Sequence, residues 1–292
     1  MRKSPRHPFA DDRLARPASG VECRSVAPTK SAGEILEAVV EDGQEELGRA
    51  SAGLALSGLA AGLNISFSAV ALGAVGAFTG GIGLAAALLY PIGFLIVVLG
   101  RFQLFTENTV TPVAVVLTNF GSLSNMLRLW VVIFVSNLIG AVLFAAAAVY
   151  GEVLPASTFT VLFDEVAQKL DHGFWKTTLK AVFGGWLVAL MAWMVAASRD
   201  TISQAFFIYV LAFLIPASGL VHCIAGSSEV LMSVFASEVP FTEYLVGFLV
   251  PATLGNAVGG VFLVALLNYG QVAGSDKKTS LSGYTEDQQE GS

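Results

Sequence analysis

Six apolar stretches follow one another between about residues 52 and 269, and two of them carry polar residues at their centres. About 20 apolar residues cross a bilayer, so the pattern predicts spans at roughly 52–76, 82–118, 127–150, 176–197, 202–236 and 242–269. The second is interrupted within Phe94–Val116 by Arg101, Gln103, Thr106, Glu107, Asn108 and Thr109. The fifth is interrupted by Pro216, Ser218, Gly219 and His222, with Gly226, Ser227, Ser228 and Glu229 behind them. Lipid offers polar groups no hydrogen bonds, so such breaks survive only inside protein or along a water-filled path. Both spans are therefore read as broken helices whose breaks face a pore.

The spans that follow the breaks share a second pattern. Ser136-Asn137-Leu138-Ile139-Gly140-Ala141 in span three matches Gly255-Asn256-Ala257-Val258-Gly259-Gly260 in span six. A three-span unit used twice explains the match. Three is odd, so the second copy enters the membrane from the opposite side, and the two broken helices meet near the midplane. Amino termini of half-helices would present N–H groups there, favouring an anion or a polar neutral solute. The Asn-x-x-Gly pairs fit close helix packing equally well.

Outside the spans the chain changes character. Residues 1–50 form a tail, basic and Pro-containing at its start with no apolar run of a signal peptide, and residues 271–292 a polar tail expected to be disordered. Within the first tail Ile35, Leu36, Val39, Val40 and Leu47 alternate with five glutamates, which predicts an amphipathic helix over about 31–47, at the membrane surface or against the channel body. A second short amphipathic helix is expected at Phe159–Leu170, in the long connection Gly151–Trp175.

Composition agrees with a membrane domain over 51–270. The 292 residues are 54% hydrophobic and 13% charged, with mean hydropathy +0.70, more apolar than a soluble core of this size requires. Net charge is -6, which argues against a nucleic-acid partner. An even number of spans puts both termini on one side. The basic amino-terminal tail, Arg128 and Arg199 make that side cytoplasmic, although Lys169 and Lys176 in the third connection count against it. Cys23 and Cys223 form no disulfide framework, and Cys223 reads as a small packing residue.

Leu104–Pro112 (LFTENTVTP), Ala217–Gly226 (ASGLVHCIAG) and the paired SNLIGA and GNAVGG segments together resemble the formate/nitrite transporter family over about residues 35–270. The resemblance implies an aquaporin-like protomer in a pentamer, in a bacterial inner membrane, passing formate, nitrite, hydrosulfide or a related small monovalent anion and its acid, with no cofactor or metal. It implies that Leu104 and Phe105 narrow the cytoplasmic side and that Thr106 hydrogen-bonds a central His222. Ile215 would narrow the periplasmic side, and Lys169 would stand in the outer vestibule. An Asn that the family carries sixteen residues beyond that lysine is here Gly185. The chain lacks the Asn-Pro-Ala of water and glycerol channels.

The chemistry suits such residues. An unpaired anion is costly to bury, its neutral acid is not, and a histidine with an ordinary pKa near 6.5 can exchange a proton near neutral pH. A cationic Lys169 would concentrate the anion first. Glu107, next to Thr106 and Asn108, is the anomaly, because a carboxylate facing the lumen repels anions. It is expected to pair with Arg101 or to act as a proton donor, and Glu229 is a second candidate partner for Arg101. If Glu107 lines the lumen, the solute is neutral or cationic. A third reading is a closed structural or regulatory membrane protein. Enzyme activity has no support, since no nucleophile and base pair or metal-ligand spacing is present.

Overall fold

The computed structural model describes residues 29–275, which are all helix, turn or loop, with no strand. The expected tails before residue 29 and beyond residue 275 lie outside the described residues.

Helix α1, Ala32–Gly48, starts in a capping box, with the Ser31 side chain accepting from Glu34 N–H and the Glu34 carboxylate accepting from Ser31 N–H. The next helices are α2 (Ser51–Ile65), α3 (Phe67–Thr79), α4 (Leu84–Ala87) and α5 (Pro91–Leu99). Then come α6 (Thr111–Thr118), α7 (Leu123–Tyr150), α8 (Ala156–Leu170), α9 (Gly173–Ala197) and α10 (Thr201–Ala217). The last are α11 (Cys223–Phe235), α12 (Phe241–Glu243) and α13 (Val250–Gly260), with π-helical turns on both sides of α13.

Four stretches are long and apolar enough to cross a membrane: Ser51–Thr79, Phe120–Tyr150, Gly173–Ala197 and Phe241–Ser275. Leu84–Leu99, Thr201–Ala217 and Cys223–Phe235 are apolar but shorter. The second and fifth apolar stretches are thus divided, one between α5 and α6 and the other between α10 and α11. The last helix runs on to Ser275, past the boundary expected at residue 270.

Two helix pairs approach main chain to main chain at glycines. In the first, Gly62 of α2 lies against the backbone of Asn137 in α7, and Gly140 of α7 lies against the backbone of Leu59 and Leu63. In the second, Gly185 of α9 lies against the backbone of Asn256 in α13, and Gly259 lies against Val182 and Trp186. A methyl group at any of these four positions would collide with main chain, so glycine is what allows the approach. Packing is thus half of what the Asn-x-x-Gly repeats do.

Helix α1 straps one end of the bundle. Lys30 Nζ, just before it, donates to Ala196 O at the end of α9 at 2.5 Å, while Arg128 of α7 donates to Leu47 O in its last turn at 2.8 Å. Between these ties Gly43 abuts Thr111, and Val39 is buried with Val110, Ala114, Ala189 and Trp193. Helix α8 joins the opposite ends of α7 and α9 and packs on α3 and α11. It begins at Ala156 after Pro155, slightly earlier than the sequence suggested. On the outside, Leu127, Val131, Val135, Ile139 and Leu143 stand exposed every four residues along α7, an apolar outer stripe.

Candidate functional site

The two breaks are built alike at their upstream ends. After α5, Phe102 N–H donates to Val97 O at 3.0 Å with Arg101 at φ 57°; after α10, Leu220 N–H donates to Ile215 O at 2.8 Å with Gly219 at φ 60°. Each is a helix stop closed by a left-handed residue. Glycine takes that conformation freely, and an arginine pays a steric penalty for it, so the first half holds strain that the second avoids.

The asparagines of the repeat hold the breaks in place. Asn137 Oδ1 accepts from Phe105 N–H at 2.9 Å, and its amide donates to Gly58 O at 2.8 Å and Gln103 O at 2.9 Å. Asn256 Oδ1 accepts from Cys223 N–H at 2.8 Å, and its amide donates to Ala181 O at 2.7 Å and Val221 O at 3.0 Å. Each buried amide joins the main chain of a break to a neighbouring span, satisfying groups that lipid could not.

The breaks meet at Thr106 and His222, both buried, with Thr106 Oγ1 and His222 Nε2 at 2.8 Å. His222 Nδ1 accepts from Ala225 N–H at 3.1 Å, so it caps α11 and carries no proton on that nitrogen. The neutral ring therefore carries its proton on Nε2 and donates it to Thr106. Thr106 O is in turn held by Thr109 Oγ1 at 2.7 Å. The Phe94 ring packs edge-on against the imidazole, centroids 5.2 Å apart.

A cleft opens beside His222 on the α8 side, lined by Tyr90, Glu165, Lys169, Ile215, Gly219 and Glu229 among others. Lys169 forms an ion pair with Glu229 and a second, longer one with Glu165 at 3.4 Å. Glu229 is all but fully buried, at 1% exposure. At the rim, Lys180 Nζ donates to Gly219 O at 2.9 Å.

Several expectations need correction. Arg101 pairs with neither carboxylate: it is exposed, forms no ion pair among the described residues, and has left-handed backbone, whereas Glu229 is taken by Lys169. The charged group facing Arg101 from α1 is Asp42, whose carboxyl burial pushes up and Arg101 pulls back down. Glu107 is half-buried, and its side chain has no ion pair or hydrogen bond among the described residues. Asn108 turns inward, its amide donating to Gln103 Oε1 and Leu104 O, both at 2.9 Å, so it fastens the break instead of presenting itself.

Two N–H groups at the start of α11 are already engaged, Cys223 N–H donating to Asn256 and Ala225 N–H to His222. Gly185 faces Asn256 with no room for a side chain, so a vestibule asparagine has no counterpart there. Leu104 and Ile215 are buried near the breaks, and Phe105 packs edge-on against Trp130 and Phe134 of α7 at 5.7 and 5.0 Å.

Sequence reasoning missed Glu165, Tyr90 and Phe94 at the site, and Trp130, whose Nε1 donates to Asn108 O at 2.8 Å. It also missed the buried Ser66–Ser228 hydrogen bond, 2.6 Å, which ties the junction of α2 and α3 to α11. Of these, only Glu165 carried a signal: it stands four residues before Lys169, on the same face of an amphipathic helix.

The formate/nitrite transporter family model matches residues 33–270. Inner membrane protein YfdC of Escherichia coli (strain K12) is 31% identical over 243 residues, 82% of this chain and 78% of that protein. Formate channel FocA of Haemophilus influenzae is 25% identical, covering 72% of this chain and 84% of its own. Among solved structures, a pentameric formate channel with formate bound superposes with a TM-score of 0.64 at 21% identity, over 75% of this chain and 96% of that one. An FNT family ion channel superposes at 0.68 and 21% identity, over 82% and 98%. At those identities the superpositions speak for the fold.

Proposed function

The chain belongs to the formate/nitrite transporter family, whose members are channels and transporters and not enzymes, and from that premise we propose that it forms a pore for a small monovalent anion and its conjugate acid. Formate and nitrite are the first solutes to test. One observation carries the reading: two breaks in apolar spans touch through Thr106 and His222 next to a polar cleft. Polar backbone at that depth is what a solute path requires and what a structural membrane protein avoids.

The finer architecture belongs to the same proposal. Six spans form an inverted three-plus-three repeat, supported by the equivalent roles of Asn137 and Asn256 and by the two matching helix stops. Both termini face the cytoplasm of a bacterial inner membrane, supported by Lys30, Arg49, Arg128 and Arg199 near the α1 end and by the YfdC relationship. Five copies assemble, as in the pentameric formate channel, with the apolar outer helix faces meeting lipid or one another.

In this reading Leu104, Phe105 and Ile215 narrow the path on either side of His222. Thr106 orients the ring and, accepting from it, has its own O–H free to donate a hydrogen bond to a solute. Coupling to protons through His222 requires the ring to release Ala225 N–H before Nδ1 can be protonated, so the ring serves first as a neutral donor. Glu107, half-buried and without an ion pair among the described residues, is the observation that favours the second reading, a neutral or cationic solute.

The test is flux into proteoliposomes for formate, nitrite, hydrosulfide and glycerol at two external pH values. Uptake of the first three that rises as external pH falls supports the pore for an anion with its acid. Glycerol uptake insensitive to formate competition and slowed by Glu107→Gln supports the second reading instead.

A further inference from the structure

The cleft beside His222 contains two carboxylates and one ammonium. Lys169 is held from its own helix by Glu165, and from α11 by Glu229. Glu229 lies seven residues beyond His222, two helical turns further along α11, so its carboxylate rises along the same face that carries the ring at its head. The other ionisable groups facing this cluster are the Tyr90 phenol from the start of α5, Cys223 beside the ring, and His222 itself. Outside it, where α9 begins, stand Lys176, Lys180 and His172, with the single carboxylate of Asp171 among them, so that two lysines outnumber one acid.

That arrangement divides the charges into two layers. The rim is cationic, and Lys180 sits on the carbonyl of Gly219, at the edge of the cleft. The interior, with Glu165, Glu229 and Lys169 together, is net negative. An anion gathered at the rim therefore finds the inner ammonium already occupied, and the excess carboxylate charge opposes its advance. At the amino terminus of α11, Asn256 and His222 already take the N–H groups of Cys223 and Ala225.

Resting on the pore reading above, we propose that Glu229 is a specificity-determining residue: by occupying Lys169 it withholds the ammonium from solute anions, so that the species reaching His222 is the uncharged, protonated weak acid. The proton arrives with the acid from bulk solution and leaves with it on the far side. No bond to the protein is made or broken. The charge state of the cargo is thus set in the vestibule, before the narrow segment is reached.

The experiment uses full-length protein in proteoliposomes with labelled formate, at an acidic and a mildly alkaline external pH. Wild type is expected to carry formate mainly at acidic pH. Glu229→Gln frees Lys169 and is expected to raise formate entry at alkaline pH about tenfold, flattening the pH profile. Glu229→Gln combined with Lys169→Gln removes the released cation and is expected to restore the steep profile. Assembly of each variant is checked by size in detergent, and Glu165→Gln serves as a milder release of the same lysine should Glu229→Gln fail to assemble. An unchanged ratio of alkaline to acidic entry in an assembled Glu229→Gln or Glu165→Gln protein overturns the proposal while leaving the pore intact. Absence of formate and nitrite flux in wild type removes the pore reading itself.

Discussion

Asn256 Oδ1 accepts the backbone N–H of Cys223 at 2.8 Å, while the amide of the same side chain reaches two carbonyls, Ala181 O and Val221 O. All of these atoms are withdrawn from lipid and solvent alike. Replacing Asn256 by Ala leaves two main-chain groups of the break, Cys223 N–H and Val221 O, without that partner at roughly 1–3 kcal/mol each, while Ala181 O keeps its place in the α9 ladder. The protein is expected to melt far lower in detergent or fail to accumulate, and Asn137→Ala should behave the same way. Asn268, which makes one hydrogen bond to Val264 O within its own helix, is the control. Its alanine variant should stay within about 0.5 kcal/mol of the parent.

The Thr106–His222 contact separates a role in permeation from a role in folding. Thr106→Val keeps the shape and removes the acceptor for the ring proton, whereas Thr106→Ser keeps the hydroxyl. Flux through Thr106→Val is expected to fall by about tenfold, equivalent to roughly 1.4 kcal/mol, with Thr106→Ser retaining most of it. Loss in Thr106→Ser with flux retained in Thr106→Val, measured as initial uptake rates in proteoliposomes, would point to packing of the methyl group as what matters.

Arg101 is the place where one half of the molecule is less comfortable than the other. Glycine stands at the equivalent left-handed position, Gly219, so Arg101→Gly relieves strain of about 1 kcal/mol. The unfolding midpoint in detergent is expected to rise with Arg101→Gly and not with Arg101→Ala, which keeps a Cβ in the wrong place. Were an ion pair the reason for the arginine, both variants would lower it.

Asp42 gives the α1 strap a pH dependence. Burial holds its carboxyl above the ordinary aspartate range, with Arg101 opposing. A raised native pKa means the docked helix takes up a proton more readily than the free one. Docking is therefore weakest well above that raised value and strengthens as pH falls through it, the gain being complete below the ordinary aspartate pKa of about 3.9. Hydrogen exchange of α1 amides should accordingly show greater protection, relative to intrinsic rates, at pH 5 than at pH 7.5, and Asp42→Asn should flatten the difference.

The broken spans were legible because polar residues inside an apolar run have few places to go, and the short repeats around Asn137 and Asn256 marked two halves. What those asparagines bind was not legible, since their partners are main-chain groups that every residue has. Arg101 misled for a physical reason: a charge inside an apolar segment suggests a countercharge, yet it stands exposed at the left-handed helix stop that glycine fills in the other half, a position that backbone geometry alone would not give to arginine. The Lys169–Glu229 pair depends on how α8 folds over α11, a tertiary choice between residues 60 positions apart that no periodicity records. Gly185 looked like a lost vestibule side chain and is instead the counterpart of Gly62, seated on main chain.

Where glycine brings two helices together backbone on backbone, a shift of one against its mate meets main chain at once. α2 with α7 and α9 with α13 are joined in this way, whereas the few residues between α5 and α6 and between α10 and α11 have no such seat and are fastened by asparagine side chains instead. The molecule is two main-chain clasps, each pinning one interrupted segment through a single amide.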